Sequence, residues 1–125
     1  MGIINFFENR LRRKMKKIAT KSARIMLMTA NLNKEASQKP HEVAKLAIEG
    51  RNDYYIDSNN NLICFGKNTG FTFDENTKIA DVIEFVVTIE FKDDPVLLEY
   101  PVDHQEYIRY AGSEAREYVI RKVGL

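Results

Sequence analysis

Few side chains in this 125-residue chain could act as nucleophile, general base or orienting acid: one thiol, Cys64, two imidazoles, His41 and His104, and Asp103 beside the second of them. A thiol, an imidazole and a carboxylate can form a relay in which the base takes the thiol proton and the acid orients the base. The setting argues against one here. Cys64 lies in an apolar run, where a buried inert thiol is the ordinary outcome, His104 follows a helix cap and His41 begins another helix.

Metal chemistry has no better footing, because two histidines and one cysteine far apart match neither paired-Cys zinc spacing nor HExxH. The segment Gly66-Lys67-Asn68-Thr69-Gly70 is superficially like a phosphate loop. Asn61, however, stands where the first Gly belongs, and Asn68 where Ser or Thr would reach magnesium. Neither GxGxxG nor GxSxG occurs. Glu84, Glu90 and Glu99 could line one face of a sheet and do acid–base work, but such a face is ordinarily solvated. Tyr107, Tyr110 and Tyr118, with Arg109, Arg116 and Arg121, could stack on bases; tyrosines at helical spacing more often pack against a core edge. We expect no catalytic residue, no cofactor and no metal.

Charge carries the clearest signal. The overall +1 conceals two opposed parts: residues 1–33 hold Arg10, Arg12, Arg13, Lys14, Lys16, Lys17, Lys21 and Arg24 against Glu8 alone, a net +7, and the remaining 92 residues carry −6. A run this dense creates a positive potential that calls for a counter-surface. It also lies on an apolar seam. Leu11, Met15, Ile18, Ser22, Ile25, Thr29 and Leu32 recur at alternating steps of four and three, extending back through Glu8 to Ile4. Ile4, Leu11, Met15, Ile18 and Ile25 are its apolar candidates for partner contact, and the eight cations are the basic ones. Lys14, Lys21 and Arg12 would flank a parallel self-paired seam with like charges, so simple homodimeric zippering is disfavoured.

The elements that must position these groups read as α+β. Residues 3–33 lack Pro and Gly and are rich in Arg, Lys, Leu, Met and Ala, which predicts one helix about 45 Å long, more than a body of this size needs to cover its core. A short second helix is expected over 40–49, opened by Pro40 and stopped by Gly50, with Val43, Leu46 and Ala47 inward. Residues 54–57 and 62–65, joined by Ser58-Asn59-Asn60-Asn61, predict a hairpin. Residues 66–70 predict a loop, 71–73 a brief strand, and 74–81 a polar connection with room for a helical turn. Alternation of Ile83, Phe85, Val87, Ile89 and Phe91 predicts a half-buried strand over 82–91, paired through a turn at Pro95 with a strand over 96–100. Asp103 and Glu106 open a last helix reaching about Val123, with Glu117 and Arg121 as an i,i+4 pair. Its Ile108, Ala111, Ala115 and Val119 face inward, and the small residues Ala111, Gly112 and Ala115 let it cover an antiparallel sheet of about four strands in two hairpins.

The expected organisation is one domain, with a basic helical arm over 1–33 and an acidic α+β body over 34–125. No stretch approaches 18 uncharged apolar residues, and residues 1–7 pass directly into a basic run rather than a signal-peptide core. Met1-Gly2 fails the myristoylation motif at Phe6, and the Arg-rich start has the composition of an organellar transit peptide. A lone cysteine gives no reason for an oxidising compartment, so a cytoplasmic location is expected.

The functional expectation is a non-enzymatic structural or interaction protein. Its basic helix would dock on an acidic protein surface or a neighbouring copy, in a homo-oligomer or a larger, nucleic-acid-containing assembly. Two alternatives are a peripheral protein held to an anionic membrane by residues 3–28, where Ile3, Ile4, Phe6 and Phe7 add apolar area, and a small-molecule or nucleotide binder.

Overall fold

The computed structural model describes residues 2–92 and 102–123, apart from the side chains of residues 2–6. In chain order these form α1 (Gly2–Asn33), α2 (Pro40–Leu46), β1 (Tyr54–Ile56), β2 (Asn61–Cys64), β3 (Lys67–Thr72), α3 (Ile79–Lys92) and α4 (His104–Val123). The class is α+β.

Local chemistry explains several boundaries. The long α1 runs unbroken as its composition predicts. Pro40 occupies the first turn of α2, and Glu42 accepts a 3.0 Å hydrogen bond from the Lys39 backbone N–H. At the start of α4 the Asp103 carboxylate accepts from the N–H groups of Gln105 and Glu106, as expected of an N-cap. In the first hairpin Asp57 accepts from the N–H groups of Asn59 and Asn61, and Asn60 takes the left-handed conformation at φ 63°.

β1, β2 and β3 form a three-stranded antiparallel meander. The loop expected over 66–70 is mostly strand. The turn is only Phe65-Gly66, both at positive φ, as a two-residue hairpin of right-handed twist requires. Phe71 packs its ring 4.9 Å from Phe85, which ties the meander to α3.

The largest correction concerns residues 82–91, which are helix rather than strand. The apolar stretch beginning at Ile79 is too long for an ordinary strand and holds neither Gly nor Pro. Ile79, Ala80, Val82, Ile83, Val86, Val87 and Phe91 are buried, a helical period that was concealed because Phe85 and Ile89 are apolar too. Two local bonds start the helix: the Thr77 hydroxyl accepts from the Asp74 N–H at 2.9 Å, and Asp81 accepts from the Lys78 N–H at 2.9 Å. With this segment helical, the second hairpin loses its first strand. The proposed partner strand over 96–100, with the turn at Pro95, lies outside the described residues, and three strands rather than four are found among those described.

It follows that α4 covers helices, not a sheet. Gly112 brings it close to α3, where Arg116 bonds Asp81 at 2.8 Å, and its other side lies on α1. The contacts Arg12–Glu106, Lys16–Glu114 and Arg24 near Tyr118 advance together along both chains, so α1 and α4 run parallel. α3 runs antiparallel to both: against α4, Gly112 meets Thr88 and Arg116 meets Asp81, and against α1, Ser22 meets Glu90 while Leu27 shares a cleft with Ile79. A single core cluster draws on all four helices and on the meander through Leu62 and Phe73.

Candidate partner-binding face

From Leu11 to Ala30, α1 belongs to the core. Leu11, Met15, Ala19, Ala23, Met26, Leu27 and Ala30 are buried, at steps close to four. A row at steps of four drifts around a helix of 3.6 residues per turn, so the buried stripe leaves the seam read at steps of four and three. Of the seam residues, Leu11 and Met15 are fully buried in the core cluster, Ile18 and Ile25 are 36% and 47% exposed, and the Ile4 side chain is outside the described ones. Burying a side chain the size of Leu11 or Met15 stabilises by about 1.5–3 kcal/mol, which is why these two face the chain's own core.

The eight cations divide in the same way. Arg12 reaches α4, 3.6 Å from Glu106, with its guanidinium 5.5 Å from the Tyr107 ring centroid and 5.8 Å from that of Tyr110. Lys16 lies 3.6 Å from Glu114. Both pairs are partly exposed, so each is worth about 0–1 kcal/mol and orients α1 more than it stabilises it. Burial, with Glu8 nearby, pushes the Tyr107 hydroxyl above its ordinary pKa, partly opposed by Arg12, and burial with Glu114 does the same to Tyr110.

The other six, Arg10, Arg13, Lys14, Lys17, Lys21 and Arg24, are exposed and have no carboxylate partner among the described residues. At about 100° per residue they fall within an arc of about 100°, opposite the buried stripe. They form one outward face, edged by Phe7 and Ile18 and continued past Arg24 by Ile25, Met28 and Leu32, of which Leu32 is 83% exposed. Where α1 passes Tyr118 of α4, the residues Lys17, Thr20, Lys21, Arg24 and Tyr118 line an open cleft of about 230 Å³. Tyr118 is one of three tyrosines at helical spacing, and nothing local in the sequence sets it against α1. Tyr107 is buried, and Arg116 is held by Asp81 and Glu84, so neither is available to a ligand.

The groups first considered for chemistry are dispersed. Cys64 lines a cavity of about 440 Å³ with Arg51, Tyr54 and Glu90, and neither histidine lines it. Burial and the neighbouring Cys64 raise the Tyr54 hydroxyl to about 12, with Arg51 opposing. Glu84 and Glu90 lie on α3 rather than on a strand. Glu84 pairs with Arg116, while Glu90 pairs with Arg51 and accepts from Ser22. Glu99 lies outside the described residues. Asp81 loses hydration to burial, yet bonds from the Lys78 N–H and from Arg116 outweigh this and hold its carboxyl below the usual range. Among the described residues no three His, Cys, Asp or Glu side chains gather as a metal site, and no helix is long and apolar enough to cross a membrane. Compared with known proteins, the chain matches no family model, no curated protein and no solved structure.

Proposed function

We propose that this chain is a non-enzymatic interaction protein that docks on the acidic surface of an assembly partner through the outward face of α1. The observation that supports this is the set of six exposed cations, Arg10, Arg13, Lys14, Lys17, Lys21 and Arg24, on one face with no carboxylate partner among the described residues. Such a stripe concentrates anions and steers an oppositely charged surface into register. An acidic protein, a neighbouring copy or nucleic acid held in the same assembly supplies the counter-charge, and Ile18, Ile25, Met28 and Leu32 add apolar contact. A membrane-surface helix fits less well, because cations hold the middle of the face where such a helix buries apolar side chains.

The test compares the wild type with a variant in which all six cations are changed to Gln. Three readings are taken across salt: self-association by light scattering, binding to polyglutamate and binding to nucleic acid. We expect the wild type to show salt-sensitive binding in at least one, and the variant to lose it with unchanged circular dichroism, since all six side chains are exposed. A wild type inert in all three, or a variant that binds as tightly, overturns the reading.

A further inference from the structure

The cleft between α1 and α4 is the place on the outward face where a particular ligand can be named, and the inference rests on reading that face as a docking surface. Lys17, Lys21 and Arg24 succeed one another at steps of four and three, so they lie along a line with a cation at about every 5.4 Å turn. None of the three cationic side chains makes an ion pair or hydrogen bond with a described residue, and no carboxylate lines the cleft. Thr20 is already committed, its hydroxyl donating to the Lys16 carbonyl at 2.8 Å. Tyr118 closes the far side, half-buried, its hydroxyl without a hydrogen bond among the described residues. A fourth cation, the Lys122 ammonium, lies 5.6 Å from the Tyr118 ring centroid.

A line of unneutralised cations suits an anion that repeats, and the aromatic wall narrows the choice. An acidic polypeptide would use the cations and leave the ring unused. A bilayer would need apolar side chains along the line, and the cleft offers only Tyr118. A nucleic-acid strand uses both, its phosphates meeting cations in sequence while an unstacked base lies on the ring. A duplex keeps its bases stacked and would leave Tyr118 idle. We infer that the α1–α4 cleft binds single-stranded nucleic acid, with Lys17, Lys21 and Arg24 contacting successive phosphates and Tyr118 stacking on a base. Lys122, held to the ring only by a weak exposed cation–π contact, moves aside to a phosphate.

The experiment is fluorescence anisotropy on the full chain with a short unstructured RNA, its DNA counterpart and the corresponding duplex, alongside anionic phosphatidylserine vesicles and polyglutamate. We expect single strands to bind most tightly. Changing Lys17, Lys21 and Arg24 to Gln together should lower the slope of log affinity against log salt by about 2, at about 0.7 per phosphate contact. Tyr118→Leu, which keeps apolar volume beside α1, should weaken binding about tenfold and leave the slope nearly unchanged. Arg10, Arg13 and Lys14 changed to Gln together should lower the slope less than the cleft variant does. The proposal is overturned if polyglutamate or duplex bind and single strands do not, or if the cleft variants match the wild type, and in either case the docking reading stands; binding to vesicles alone overturns both. Binding to none of the probes, with no self-association, overturns both. Because the three cleft cations are exposed, their variant keeps the test decisive even if Tyr118→Leu fails to fold.

Discussion

At Gly112 α3 and α4 lie too close for a methyl group, and replacing this glycine sets two opposing effects against each other. A methyl group there would sit 2.6 Å from the Thr88 Cγ2, a distance at which something must move, and 3.3 Å from the Glu84 Cγ. Thr88 yields poorly: its β-branched side chain is stiff about χ1, and its hydroxyl donates to the Phe85 carbonyl at 2.7 Å. Gly→Ala in a helix interior gains about 1 kcal/mol from backbone entropy, while overpacking a tight contact costs about 1–3 kcal/mol. We expect Gly112→Ala to lose about 1 kcal/mol, a fall of about 4 °C in Tm for a domain of this size. Thr88→Ser removes the obstructing methyl and keeps the hydroxyl bond. In that background Gly112→Ala should be neutral or stabilising, and urea unfolding of the four proteins measures the coupling directly. If Gly112→Ala stabilises the wild-type background, or costs the same in both, the close approach of α3 and α4 does not have the consequence argued here.

The placement of α1 yields two more expectations. Leu11→Asp puts a charge into the core and should cost more than about 4 kcal/mol, a large share of the about 5–15 kcal/mol that ordinarily holds a domain folded, whereas Ile25→Asp on the outward face should cost about 0.5 kcal/mol or less. Circular dichroism and urea melts separate them, and equal effects would mean that the buried stripe is misassigned. For Tyr54 the sign follows from linkage: in the unfolded chain its phenol ionises near 10.0, while burial and Cys64 hold the folded group to about 12. The unfolded state therefore releases its proton first, and stability declines as pH rises through that window. Tyr54→Phe should make the alkaline decline shallower, with Tyr107 and Tyr110 accounting for what remains; an unchanged decline would refute the assignment.

How much could be read beforehand depended on how local the signal was. Pro40 at the start of α2, Asp103 capping α4 and the Asn-rich turn before β2 act through bonds reaching only a few residues, and each appears where the sequence places it. The small residues Ala111, Gly112 and Ala115 predict a close approach to a sheet, and Gly112 instead lies against Thr88 and Glu84 of α3. The Glu117 and Arg121 pair, read at i,i+4, is exposed on both sides and forms no ion pair, as is common for solvated charges. The cleft at Tyr118 had no local signature, since α1 and α4 are separated by most of the chain and meet only once the core has formed.

Composition and turn chemistry alone mark residues 3–33 as one helix, place a net positive charge on it against a net negative one on the rest, and turn a hairpin at the Asn-rich segment, because helix propensity and turn chemistry act over a few neighbouring residues. Tertiary structure alone decided that the segment from Ile79 to Lys92 is helical, since a stretch apolar on almost every side satisfies both a period of two and a period of 3.6 until its neighbours are known. It also decided which stripe of α1 meets the core, and hence which cations are paired with α4 and which six face outward, because that depends on how three helices cross rather than on any one of them.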